Sequence, residues 1–255
     1  MLNEKLIGCI KLIKKLCSQE KSELFSLMTR HYNDVNENIF LNDLSDKHHI
    51  ILFYDKELNQ LRGFTTLKML QLNACDEHVC LFSGDTIIEK EYWGSVQLPR
   101  LWCVYINAMK EWCPGKKIYW LLTAKGHKTY RFMSVFFRDY YPHYNKKSSP
   151  LKELLDSYSF LQVQDRYDPR THLIDSGKIK DRLKPGIADI NHERDQDAHV
   201  TFFLESNPHW INGTELASIL EVTEDNLTLL GKRMFQQAHR KPEFVENFLE
   251  DKMYA

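Results

Sequence analysis

Few residues of this chain are of a type and at a spacing that could do chemistry, and several common sets are missing. The six cysteines, at positions 9, 17, 75, 80, 103 and 113, form no Cys-x-x-Cys pair, so neither a structural zinc site nor a paired redox motif is spelled out. Cys103 and Cys113 have no histidine paired with them in sequence, and buried, inert thiols are their default. His48 and His49 are adjacent but have no third ligand at suitable spacing, so they read as residues at the start of a strand and no metal is expected. Ser83, in Phe-Ser-Gly-Asp, lacks the Gly-x-Ser-x-Gly elbow of a hydrolase nucleophile. Lys125, Lys128 and Lys146-Lys147 form small basic spots that read as solvated charge. What remains is a set of carboxylates, Asp85, Glu89 and Glu91, that leads into a turn holding Gly94, Ser95, Val96 and Gln97. Asp85 is flanked by strand residues, and a partly buried carboxylate there has a raised pKa that suits proton abstraction near neutral pH. It can equally be a structural carboxylate that holds loop N–H groups. Glu89 and Glu91 lie next to the turn, where solvation is the commoner fate.

The elements that must position these residues come from a chain of ordinary composition. It has 255 residues, 43% hydrophobic and 27% charged, with a net charge of −1. That is a packed α/β or α+β composition, not a disordered one. It carries no basic excess of the kind that marks a nucleic-acid partner. Scattered single cysteines, no signal-peptide pattern and no apolar run of membrane-spanning length make a soluble cytoplasmic protein the expectation. Leu2, Leu6, Cys9, Ile10, Ile13 and Leu16, at steps of three and four, predict an amphipathic helix over 2–16. A second helix is predicted from Ser18 or Gln19 to about Tyr32, with Leu24, Leu27 and Met28 inward. The runs His49–Asp55, Leu61–Leu72 and Val79–Ile88, with short polar turns, predict an antiparallel meander. Pro99 opens a helix that Cys113-Pro114-Gly115 stops. Lys117–Ala124 is a continuous apolar strand, central in its sheet. A further helix runs from His127 or Lys128 to about Tyr140. Residues 143–198 are polar and read as an insertion with one helix over Pro150–Tyr158 and a strand near Phe160. Val200–Glu205 and Glu215–Leu220 read as two strands of a last hairpin. A closing helix is expected over Glu224–Gln237 and a short one near Pro242–Asp251.

This order of elements resembles the GNAT acyltransferase superfamily over residues 20–142 and 199–222. The most specific stretch is Phe82-Ser83-Gly84-Asp85-Thr86-Ile87-Ile88-Glu89-Lys90-Glu91-Tyr92-Trp93-Gly94-Ser95-Val96-Gln97-Leu98. In that family a strand runs into a Gly-rich loop and a helix whose N–H groups hold the pyrophosphate of coenzyme A. Tyr92 and Gly94 match the loop. Trp93 stands where Arg is usual, Val96 where Gly is usual, and Pro99 enters the first helical turn. A second stretch, Leu121 to Met133, is similar to the strand-to-helix junction that leads to a tyrosine in the family.

The resemblance implies an α/β (α+β) fold: a mixed central sheet flanked by helices, with an insertion before the last hairpin. As one domain over 1–255, it would comprise N-terminal helices (1–32), a donor-binding core (48–142), the insertion (143–198) and a C-terminal hairpin with helices (199–255). It implies an N-acyltransferase that moves an acyl group, fatty chains included, from an acyl-CoA or acyl-carrier-protein thioester to an amine. The alternative is a catalytically inactive GNAT-like protein that binds a ligand or partner. The donor would be acyl-CoA or acyl-phosphopantetheine, with no metal, no nucleic acid and no membrane span. By the same resemblance Asp85 or Glu89 would be the base, and Tyr130 would protonate the leaving thiolate unless its ring simply fills the core. A backbone N–H at Ile87 or Ile88 would polarise the thioester. Gly94, Ser95, Val96 and Gln97 would line the phosphate end. Trp93, Trp102, Tyr105 and Trp120 would wall an acyl pocket or fill the core. The decisive geometry is a splayed gap between two neighbouring parallel strands, those ending near Ile88 and Ala124.

Overall fold

A computed structural model describes residues 4–72, 77–146, 149–175, 177, 181–187 and 197–238. Along the chain come β1 (Leu6–Leu12), α1 (Ser18–His31), β2 (Tyr32–Asn33), α2 (Glu37–Ser45), β3 (His49–Asp55), β4 (Leu61–Leu70) and β5 (His78–Ile88). Next are α3 (Gln97–Trp112), β6 (Lys117–Ala124), α4 (His127–Phe136), α5 (Leu151–Val163), β7 (Tyr167–Asp168) and β8 (Leu173–Ile174). The last are β9 (Arg182–Leu183), α6 (Ala198–Ser206), β10 (Glu215–Glu221) and α7 (Leu229–Ala238).

The principal sheet has eight strands in the order β1-β3-β4-β5-β6-β10-β8-β7, and β2 and β9 form a separate ladder. β3, β4 and β5 are the expected antiparallel meander, and β5 lies beside β6 and parallel to it. The apolar runs in β3 and β6 are continuous because both faces of the sheet are covered. On one face, Phe53, Leu81, Trp120 and Leu122 pack under α3, α4 and α7. On the other, Ile50, Leu52 and Phe64 pack under α1 and α2, while Phe82 and Leu121 pack against α5. The result is the mixed, helix-flanked α/β sheet that the sequence leads one to expect.

Four elements differ from the sequence reading. The stretch expected as an N-terminal helix is strand β1, antiparallel to β3 from Leu6↔Asp55 to Leu12↔His49. Leu6 and Ile10 are four apart, a spacing that fits one helical turn or two strand repeats equally well. Gly8 decides: a Cβ there would lie 2.4 Å from Leu101 Cδ1, so the backbone itself passes against α3. Val200–Glu205, expected as a strand, lies in helix α6. The Asp197 carboxylate caps the His199 N–H, and Val200 and Phe203, one turn apart, point inward. The outer neighbour of β10 is therefore β8, from within the insertion. Phe160 lies within α5. Finally, α4 ends at Phe136, because the chain then turns extended and bridges Phe137 to Leu227 and Tyr141 to Ile219. Pro99 is the third residue of α3, still inside the first turn, where no N–H is needed. The helix expected near Pro242–Asp251 lies outside the described residues. Among those residues no helix is long and apolar enough to cross a membrane.

Gly63 sits where β4 presses on β5. A Cβ there would lie 2.5 Å from the Ile87 carbonyl oxygen and 2.6 Å from Ile88 Cδ1, so the strands must shift to accept one. Gly63→Ala is expected to cost about 1–3 kcal/mol, read as a lower midpoint in a urea or thermal melt. An unchanged midpoint would show that the two strands can part there freely.

Candidate functional site

The parallel pairing of β5 and β6 runs from His78↔Lys117 to Ser83↔Leu122 and stops. Beyond it β5 continues to Ile88 paired with β4 alone, while β6 continues to Ala124 paired with β10. The cause lies in β5. Leu67 pairs with Ser83 but Thr65 pairs with Thr86, so Thr66 faces both Gly84 and Asp85. That extra residue is a β-bulge, which bends its strand and increases its twist. Gly84 makes it possible, since a Cβ there would meet Thr66 Oγ1 at 2.5 Å. β5 therefore veers from β6, and the wedge between them opens into a cavity of about 910 Å³.

Asp85 stands in this wedge. Its carboxylate is half-buried and has neither a hydrogen bond nor an ion pair among the described residues. Burial pushes its pKa up to about 7; the Asp43 and Asp181 carboxylates add to the rise, and Lys125 and Lys47 oppose it. Both lysines are already engaged. Lys47 Nζ, buried, lies 2.7 Å from Asp43 Oδ1 and 3.7 Å from Asp46 Oδ2. Lys125 Nζ lies 2.5 Å from Asp181 Oδ2, 3.4 Å from Glu215 Oε1 and 5.2 Å from the Tyr32 ring. Burial works against the Lys125 charge, but Glu215 and Asp181 outweigh it and hold the ammonium above its ordinary value. Burial likewise raises the Tyr32 hydroxyl, which stays protonated. Among the described residues Asp85 is thus the unpaired member of a charged wall whose two lysines each face two other carboxylates.

No family model and no curated protein matches the chain. Similar solved structures include ElaA of Escherichia coli, 17% identical over 54% of this chain and 93% of that one, with a TM-score of 0.37. Another is a probable N-acyltransferase of Enterococcus faecalis V583, 15% identical over 53% of this chain and only 33% of that one, with a TM-score of 0.38. A third is the GNAT family N-acetyltransferase YhbS of Escherichia coli in complex with CoA, 12% identical over 52% of this chain and 68% of that one, with a TM-score of 0.35. Each of these likenesses covers only about half of this chain. The match spans about a third of the length of the Enterococcus protein.

The sequence-derived site residues divide sharply in this fold. Asp85 lines the wedge; Glu89 does not. The Glu89 carboxylate is clasped by Arg30 Nη2 at 2.8 Å and Arg62 Nη1 at 2.9 Å, and joins α1 to the start of β4. Glu91 is exposed. Of the two strand amides, the ladder distinguishes one. Glu89 N–H donates to Arg62 O at 2.9 Å, which makes Ile88↔Gly63 a non-hydrogen-bonded pair. Ile88 N–H is therefore directed into the wedge, and Ile87 N–H toward β4. The Ile88 carbonyl accepts from Trp93 Nε1 at 2.8 Å.

Gly94, Ser95 and Val96 line the cavity, and Gln97 opens α3 without lining it. Gly94 has φ of +94° with open space around it, as the turn requires. The other donors of this loop are engaged inside the chain. Ser95 N–H donates to Tyr92 O at 3.1 Å, Gln97 N–H to Ser95 Oγ at 3.1 Å, and Val96 N–H to Glu4 Oε2 at 3.2 Å. Tyr130 is fully buried, its ring against Tyr140 and Phe203 and its hydroxyl donating to Pro142 O at 3.1 Å. It fills the core and does not reach the wedge; Thr129, Lys128, Arg131 and Phe132 present that face of α4. Trp102, Tyr105 and Trp120 are core residues too, and Trp93 alone of the four aromatics lines the cavity. Sequence reasoning missed Tyr32, Asp43, Lys47, Asp181 and Glu215. They come from four separate segments, Asp43 and Lys47 sharing one, and the signal for Lys125 was only that a charged residue directly follows a central strand.

Two measurements test this assignment. Asp85 has a folded pKa near 7 against an ordinary value of about 3.9. Between those values the native chain holds a proton that the unfolded chain has lost, so the Asp85 contribution to stability falls as pH rises from about 4 to about 7. Asp85→Asn should therefore exceed wild type in stability at pH 8 by at least about 1 kcal/mol, with the gap closing toward pH 5. Urea melts at both pH values would refute this by giving the same gap. Tyr130→Phe leaves the Pro142 carbonyl unpaired and should cost about 1–3 kcal/mol in the same melts. An unchanged melt would mean that the hydroxyl is not held in the core.

Proposed function

We propose that this chain is an N-acyltransferase that moves an acyl group from an acyl-CoA thioester to an amine. The observation that carries the reading is the wedge between β5 and β6, with an unpaired carboxylate and an inward-directed amide on its β5 side. A bare strand edge offers a thioester arm a partner for its amides, and Ile88 N–H is the donor aimed where negative charge develops on the thioester oxygen. Asp85 takes a proton from the incoming ammonium, a role its raised pKa suits near neutral pH. The freed amine nitrogen bonds to the carbonyl carbon, the carbon–sulfur bond breaks, the nitrogen releases its second proton to solvent, and the thiolate takes a proton from solvent, since Tyr130 is in the core. The electron pair of the new C–N bond comes from the amine, and the pair of the broken C–S bond leaves with sulfur.

In this proposal residues 48–142 bind the donor and the insertion completes the acceptor side, with Asp181 and Leu183 lining the cavity. In this reading no long acyl chain runs beneath α3, α4 and α7. Trp102 and Trp120 pack with ring centroids 4.5 Å apart, and the apolar void beside them, bounded also by Phe137 and Phe235, is only about 40 Å³. That leaves no room for a long chain beneath α3, α4 and α7.

A second reading, a ligand-binding GNAT-like protein without catalysis, is favoured by one fact: the loop donors are already engaged within the chain. The test is turnover of acetyl-CoA with a panel of primary amines. For wild type the rate should rise with pH through about 7 as Asp85 loses its proton, and Asp85→Asn should lower kcat by about 10²–10⁴-fold. CoA binding without turnover of any amine would establish the binding-protein reading instead.

A further inference from the structure

Two groups of the chain occupy the surfaces that the proposed donor would use. The first is Glu4. Its Oε1 accepts from the Ser95 hydroxyl at 2.7 Å and from Leu6 N–H at 3.3 Å, and its Oε2 accepts from Val96 N–H at 3.2 Å. A carboxylate from just ahead of edge strand β1 thus sits at the start of α3, 92 residues further along the chain. The amides and macrodipole of a helix start favour an anion, and here the anion is internal. The second is Trp93. Its indole N–H takes the Ile88 carbonyl, the acceptor that the parting of β5 and β6 exposes. Lys128 Nζ lies 3.8 Å from the Trp93 ring centroid and bonds Ile187 O at 2.7 Å, which holds the indole under α4 and the insertion. An N–H group and an anion therefore stand at the two ends of one path, in the chemical roles of an amide and a phosphate.

Resting on the acyl-CoA reading, we propose that Glu4 is an autoinhibitory plug: a donor that carries a diphosphate binds by displacing the Glu4 carboxylate from Ser95 and Val96, while a phosphate-free thioester does not. Two anions cannot share this pair of donors, so the carboxylate competes with the diphosphate and lowers its affinity. The gate is selective by charge. It penalises only the part of the donor that reaches α3 and leaves the wedge at Asp85 untouched.

The experiment compares the full chain with Glu4→Gln and Glu4→Ala. Calorimetry at low salt gives the affinity for CoA. Turnover is followed with two donors, acetyl-CoA and the acetyl thioester of N-acetylcysteamine, which has no phosphate. Loss of the carboxylate should tighten CoA binding about ten-fold, the scale of a favourable charge at a helix terminus, and raise kcat/KM for acetyl-CoA similarly. It should leave kcat/KM for the cysteamine thioester unchanged, even though the melting point drops slightly with the lost hydrogen bonds. Unchanged or weaker CoA binding in both variants would overturn the plug and leave Glu4 as a structural cap. So would an equal gain with both donors, because a charge gate cannot act on a donor without phosphate. If the cysteamine thioester turns over but no variant binds CoA, the plug falls while acyl transfer stands. If neither donor reacts and CoA does not bind, both fall.

Discussion

The site depends on one extra residue in β5. Parallel strands four or five ångströms apart leave no space for a ligand between them, and β5 and β6 keep that spacing through Ser83↔Leu122. The bulge at Gly84 and Asp85 ends it. It rotates Asp85 out of register, points Ile88 N–H at the gap rather than at β4, and leaves the last residues of both strands to line a cavity. Glycine at 84 is required by the approach of Thr66, not by a turn. The same strand is rigid on its other side, where the Thr65 and Thr86 hydroxyls meet at 2.7 Å and Glu89 is clasped by two arginines. The gap is thus held open from the β4 side.

Charge around the gap is arranged by the same logic of pairing. A buried ammonium is tolerated only with partners. Lys47 and Lys125 each have two carboxylates, and these are supplied by α2 and the turn after it, by the segment before β9 and by the start of β10. The short β2–β9 ladder and the Lys184 N–H bond to His31 O at 2.9 Å tie residues 181–184 to the end of α1. This brings Asp181 to Lys125. The insertion thereby contributes to the electrostatics of the wedge, and Asp85, buried and with no paired cation among the described residues, keeps a proton to a higher pH than an ordinary aspartate.

How much of this was legible in the sequence follows from the range over which each feature is encoded. β3 to β6 and α3 were legible because both faces of the strands are buried and the breakers Cys113-Pro114-Gly115 and Lys125-Gly126 are local. β1 was not, because Leu6 and Ile10 satisfy two periods at once and the deciding contact, Gly8 against Leu101, lies 93 positions away in sequence. Residues 200–205 misled because a short apolar run carries no period, and the Asp197 cap was the better signal. Asp85 was legible as a carboxylate in a strand before a loop. Glu89 looked the same, and only the arrival of Arg30 and Arg62 separates them. Tyr130 fitted both a cleft and a core stripe; α6, which replaced an expected strand, supplies the Phe203 ring that fixes it in the core.

The departures of the loop from the family pattern acquire a physical sense in the same way. Trp93 stands where Arg is usual, and its indole caps the carbonyl that the bulge exposes. Val96 stands where Gly is usual, and its N–H is satisfied by Glu4. A cleft whose donors and acceptors lack partners would carry a desolvation penalty at each of them. At the loop the penalty is removed by the chain itself, so a ligand there exchanges one set of hydrogen bonds for another and gains only the difference. On the proposed reading, affinity at the loop is set by charge and by the release of these internal partners. The number of hydrogen bonds the ligand forms does not determine it.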